Sequence, residues 1–184
     1  MKKALTLLLV FSSLFCFSQT KVGRVELPDQ MLVNNQQLQL EGAGTRVKLW
    51  MDMYAMGLYL SHKMKDATKI INNDENMAIR LEIISGLITS EKMEKACREG
   101  FTNSTSGEME NIKQEIEDFI SVFQNSIEKK DVFEFVYLPS EGTQIYKNGK
   151  LQQNIRGLAF KQALFGIWLC NTPVDKNLKK NLLE

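Results

Sequence analysis

Residues 132–157 read VFEFVYLPSEGTQIYKNGKLQQNIRG, and the fold is decided there. Phe133, Phe135 and Tyr137 recur at every second position, the period of a strand with one buried face. Pro139 to Gly142 turns the chain into a second strand, Thr143 to Lys147. Asn148-Gly149 is a strong hairpin signal, because both residues tolerate positive φ. Lys150 to Arg156 returns as the partner strand, and Gly157 ends it. Adjacent strands joined this tightly pair antiparallel, so the stretch predicts part of a larger antiparallel sheet.

Working outward, Met77 to Ile84 is another alternating strand, with Arg80 and Glu82 on the face opposite Met77, Ile79, Leu81 and Ile83. Thr89 or Ser90 opens a helix carrying Met93, Ala96, Cys97 and Phe101 at helical spacing. Met109 to Lys129 predicts one long second helix, its stripe formed by Ile112, Ile116, Phe119, Ile120, Phe123 and Ile127. Beyond Gly157 a third helix carries Phe160, Leu164, Ile167 and Trp168 on one face, and Leu178 to Leu183 reads as a helical tail. Upstream, Val22 to Leu27 and Leu38 to Leu40 read as short strands around an Asn34-Asn35 turn. Gly42-Ala43-Gly44 reads as a small-residue corner. Arg46 to Trp50 and Met53 to Leu60 read as a strand pair, and Asp66 as the cap of a short helix with Ile70 and Ile71. Strands, then helices, then a hairpin and a helix predict the α+β class with an antiparallel sheet.

The N-terminus carries a different signal. Lys2 and Lys3 precede an apolar run from Ala4 to Phe17, and Ser18, Gln19 and Thr20 follow. Charge, apolar core and polar exit describe a secretory signal peptide over residues 1–19. The run is shorter than the roughly 20 residues a permanent transmembrane helix needs. A lipid anchor on Cys16 is the alternative, and bulky Phe15 beside it argues against that. The expected mature chain, residues 20–184, is a single domain that is periplasmic or secreted, with no integral membrane segment. The formal charge is +1, falling to −1 without Lys2 and Lys3, so nothing favours nucleic acid as a partner. Export permits a disulfide between Cys97 and Cys170, but both lie in apolar helical patterns, where buried free thiols are the ordinary reading. Oligomeric state is left open.

Much chemistry can be set aside. His62 is the only histidine, sits in a loop pattern, and has no partners for a nucleophilic triad. There is no phosphate loop, no dinucleotide fingerprint and no metal-ligand spacing, so no metal and no cofactor are expected. One constellation remains. Arg46 follows the small-residue corner and opens a segment rich in Trp50, Met51, Met53, Tyr54, Met56 and Tyr59. The ordinary reading of Arg46 is an exposed or ion-paired residue at a strand end. The other is a guanidinium facing an apolar cleft, where it needs an anion and matches a carboxylate through a two-bond fork.

At these residues the chain resembles the chalcone isomerase family. GAGTRVKLWMDMYAMGLYL at 42–60 resembles that family's arginine-bearing strand pair, and FKQALFGIWLCNTPVDKNLKKNLL at 160–183 resembles its C-terminal helix and tail. The hairpin at 132–150 is similar to that of the bacterial chalcone-isomerase-like branch. The resemblance implies an open-faced β-sandwich, a large antiparallel sheet backed by helices, with a cleft between them. It also implies one of two functions: closing a hydroxychalcone into a flavanone, or binding a fatty acid through the arginine and a tyrosine. Arg46 matches the family arginine. The family's catalytic threonine falls on Tyr54, its tyrosine nearest Thr89, its asparagine on Ala96 and its second threonine near Ile167. With those donors replaced, stabilisation of a developing enolate loses its means.

The resemblance therefore favours a non-catalytic protein that binds a small lipophilic acid, most simply a fatty acid, with Arg46, Tyr54, Tyr59 and Trp168 as candidate ligand residues. An intramolecular lyase or isomerase acting on an enone-type substrate is the alternative. A protein-interaction module, its cleft filled by side chains, is a third reading.

Overall fold

The computed structural model describes residues 18–184. The export signal read at residues 1–19, up to Phe17 and with Cys16 in it, lies outside the described residues.

The expected α+β architecture is present. Seven strands form one antiparallel sheet in chain order: β3 (Gln30–Val33), β4 (Gln36–Lys48), β5 (Met51–Leu60), β6 (Met77–Ile83), β7 (Val132–Leu138), β8 (Gly142–Lys147) and β9 (Lys150–Ile155). A separate hairpin, β1 (Gln19–Val22) and β2 (Val25–Pro28), stands where a single strand over Val22–Leu27 was expected. Gly23 and Arg24 turn the chain there, with Gly23 at φ +61°. Leu27 of this hairpin packs with Ala55 and Ala43 on one sheet face, and the Tyr59 hydroxyl on that face donates to the Pro28 carbonyl at 2.8 Å.

The helices cover the opposite face. They are α1 (Ala67–Asn72), α2 (Ser90–Ser104), α3 (Lys113–Ser121), α4 (Leu158–Leu169) and α5 (Lys176–Leu182). Asp66 caps α1 by accepting from the Thr68 and Lys69 amides, and Thr89 caps α2 by accepting from Lys92, as the sequence predicts. The long helix expected over Met109–Lys129 is shorter: a 3-10 turn at Glu110–Ile112 leads into α3, which ends at Ser121. The Phe119, Ile120 and Ser121 carbonyls accept from the amides three residues ahead, which tightens the end of the helix. Phe123 and Ile127 stay buried even so, since hydrophobic burial does not require the helix to continue.

α4 is buried on nearly every side, because the sheet, α1 and α2 all pack on it. Phe119 anchors the aromatic core, with ring centroids 5.2–5.9 Å from Phe101, Phe123, Phe135 and Phe160. Such pairs contribute about 0.5–1.5 kcal/mol beyond area burial. Lys161 is fully buried in α4. Its ammonium donates to the carbonyls of Ile70, Ile71 and Asn73 at 2.7, 2.9 and 2.7 Å, closing the C-terminus of α1.

Two local expectations are corrected. Gly42-Ala43-Gly44 is not a corner but the middle of β4. The reason is packing: a Cβ on Gly42 would stand 2.4 Å from the Asn181 carbonyl oxygen, and one on Gly44 3.0 Å from the Asn181 Cβ. Small residues here let α5 lie directly on the strand. The turn between β4 and β5 falls at Leu49-Trp50, two residues read as strand, and both have positive φ.

Candidate functional site

The register of β4 and β5 builds the site. Arg46 pairs directly with Tyr54, and the next pair is Val47 with Asp52, which leaves Met53 as the extra residue of a bulge. The Met53 carbonyl accepts from the amides of both Ile84 and Ser85. A bulge breaks the strict in-and-out alternation of a strand. Met51, Met53 and Tyr54 consequently all line one cavity of about 350 Å³ at this end of the sheet, within the range of small-molecule sites.

The other wall is α2 and the loop before it. Leu87, Ile88, Met93 and Ala96 contribute apolar surface. Arg46, Lys48, Lys92 and Lys95 line the cavity as cations, and Glu99 is the one carboxylate among the lining residues. Arg46 is half-buried, with its guanidinium carbon 5.7 Å from the centroid of the Tyr54 ring. Among the described residues no carboxylate forms an ion pair with it. A cation–π contact contributes about 0.5–1 kcal/mol at an accessible site and leaves the N–H fork without a carboxylate.

Tyr54 is buried, and its hydroxyl accepts from the Trp168 indole Nε1 at 2.9 Å. That bond fixes the phenol from behind and leaves its own proton to donate forward. Burial raises the Tyr54 pKa and Arg46 partly offsets it, so the hydroxyl stays a donor. Burial likewise pushes the nearby Cys97 thiol up to about 12, against the pull of Arg46. Cys97 is thus an inert core thiol, and both Cys97 and Cys170 are unbridged.

Of the four residues singled out by sequence, the structure brings three together. Arg46 and Tyr54 line the cavity, and Trp168 stands one layer behind, positioning Tyr54 rather than lining the space. Tyr59 is on the opposite face of β5, packed with Val33, Leu38, Ala78, Val136 and Leu138 and bonded to Pro28. It lies five positions after Tyr54, and an odd offset along a strand reverses the face. Of the positions matched to catalytic groups, Thr89 caps α2 as an acceptor and lies outside the cavity lining, Ala96 lines the cavity, and Ile167 is buried in the core. His62 is exposed, 3.3 Å from Glu75, and remote from the cavity lining.

Comparison with known proteins agrees with this architecture. A family model described as chalcone isomerase-like matches residues 19–184. The crystal structure of an Arabidopsis thaliana fatty-acid binding protein superposes with a TM-score of 0.67 at 15% identity, covering 86% of this chain and 91% of that one. No curated protein sequence matches.

Proposed function

The chain belongs to the chalcone isomerase-like family, and we propose that it binds a fatty acid or similar lipophilic carboxylate without transforming it. The observation that carries this reading is the half-buried Arg46 guanidinium, with no carboxylate paired to it among the described residues, set against Tyr54 in a mainly apolar cavity whose other charged lining residues, Lys48, Lys92, Lys95 and Glu99, are exposed. A carboxylate there takes the two-bond fork from Arg46 and a third hydrogen bond from the Tyr54 hydroxyl, while Met51, Met53, Met93 and Ile88 pack on the alkyl chain. Flexible methionines suit a chain with no fixed shape. The fold shared with a fatty-acid binding protein supports the same reading. Ala96 and Ile167 carry no donor for an enone oxygen, and Thr89 is outside the cavity lining, which favours binding over cyclisation.

Mass spectrometry of solvent-extracted protein tests this. A monocarboxylic acid should copurify with the wild type and be depleted from Arg46→Ala. Equal recovery from both, or none from either, contradicts it. We further propose that the chain acts outside the cytoplasm, on the strength of the charge-then-apolar order at residues 1–19. N-terminal sequencing of envelope protein should begin near Gln19, whereas an intact Met1 on soluble cytoplasmic protein contradicts export.

A further inference from the structure

Three hairpins of the large sheet close with two-residue turns, at Asn34-Asn35, Leu49-Trp50 and Asn148-Gly149. All three place both turn residues at positive φ: 47° and 61°, 50° and 63°, 51° and 74°. Two of them use the residues that adopt this conformation at least cost. The third uses leucine and tryptophan, for which it is strained. Nor are these side chains repaid by burial, since Trp50 is 94% exposed and Leu49 70% exposed. Val47, Met51 and Leu87 beside them are also exposed.

This apolar tip stands at the mouth of the Arg46 cavity, where Leu49, Met51 and Leu87 are themselves lining residues. Lys48 adjoins it in the chain, and Lys92 and Lys95 line the same cavity, against the single carboxylate of Glu99; all three lysines are exposed. Lys92 donates to the Leu87 carbonyl, so its charge meets no carboxylate there. An exposed tryptophan and leucine at a cavity mouth lined by three lysines match the headgroup boundary of an anionic bilayer: the rings and alkyl groups enter the interface and the ammonium groups face lipid phosphates.

We propose that the Leu49-Trp50 tip docks the protein on an anionic lipid surface, with the cavity mouth facing the bilayer. A lipophilic acid could then pass between membrane and cavity without crossing open water. That last clause rests on the carboxylate-binding reading; the docking does not.

All elements of the fold among the described residues lie between Gln19 and Leu182, so the chain from Gln19 onward serves for the test, free of the apolar N-terminal run. It is mixed with vesicles of phosphatidylcholine alone or with phosphatidylglycerol added. Trp168 is buried and Trp50 exposed, so a blue shift of emission reports Trp50 entering lipid. Binding to the anionic vesicles with that shift is expected. Leu49→Asn/Trp50→Gly gives the tip the chemistry of its sister turns and should melt no lower than wild type. Its vesicle binding should fall roughly tenfold to hundredfold, since an apolar side chain of this size contributes that much when buried. Lys92→Glu/Lys95→Glu should lose only the preference for anionic vesicles. No vesicle binding by wild type, undiminished binding by the tip variant, or a concentration-dependent dimer that the tip variant abolishes in place of vesicle binding overturns the proposal. Decanoate affinity of the wild type and of Arg46→Ala in lipid-free solution, measured separately, shows whether the cavity reading stands when docking fails.

Discussion

Lys161 and Arg46 both lie on the helix-covered side of the sheet, and they are treated in opposite ways. Lys161 is fully buried, and three main-chain carbonyls accept its three ammonium protons. The Tyr137 and Phe165 rings lie 5.5 and 5.2 Å from its nitrogen. Arg46 is half-buried against one ring, with no carboxylate paired to its fork among the described residues. A buried cation whose protons are all placed is part of the framework. One left without a carboxylate at a mainly apolar cavity is prepared for an anion from outside.

The largest expected effect is on the framework side. Lys161→Met should leave three carbonyls at the end of α1 without donors and cost about 3 kcal/mol or more, seen as a lower midpoint in urea unfolding. Loss of less than about 1 kcal/mol would erase the contrast between the two cations.

A pH scan sharpens the same contrast. Burial lowers the Lys161 ammonium from 10.5 to about 8, with Asp74 and Glu75 opposing it. Between those values the unfolded chain binds more protons than the folded one, so this group makes stability rise with pH across the window. The difference in stability between wild type and Lys161→Met should follow that slope, while Arg46→Ala keeps the wild-type slope. A flat difference would show that Lys161 titrates as in the unfolded chain.

Tyr54→Phe should have a smaller effect. The Trp168 indole loses its acceptor, and an unsatisfied buried donor costs about 1–3 kcal/mol. A wild-type melting temperature in that variant would mean that the Tyr54–Trp168 bond positions nothing. The smallest effect expected is that of Arg46→Ala on the ligand-free protein, within about 1 kcal/mol of wild type and of either sign.

The antiparallel sheet was legible because Phe133, Phe135 and Tyr137 alternate and Asn148-Gly149 turns where its chemistry says it should. Arg46 and Tyr54 were legible through their apolar surroundings and the family resemblance. The Leu49-Trp50 turn was not, because both residues are strand formers by pattern and only the pairing of Lys48 with Met51 reveals the turn. Nor was the role of Gly42 and Gly44, which depends on a helix more than 130 residues later in the chain. Tyr59 was misplaced because, at the sequence level, its face could not be counted relative to Tyr54 without knowing which face the cavity occupies. Lys161 carried a signal that went unread: a lysine three, four and seven residues before Leu164, Phe165 and Trp168 lies on the apolar side of its helix. The cavity-lining positions Met93 and Ala96 showed only as core spacing, since a helix face packed on a cavity has the same period as one packed on side chains.

The central claim is that Arg46 holds a carboxylate. Titration calorimetry of wild type and Arg46→Ala with decanoic acid and with decanol separates charge recognition from apolar burial. Affinity for the acid should fall about tenfold to hundredfold in the variant, the worth of charge-assisted hydrogen bonds, while affinity for the alcohol changes little. Equal affinity of both proteins for the acid would contradict the claim and return Arg46 to the status of an ordinary strand-end residue.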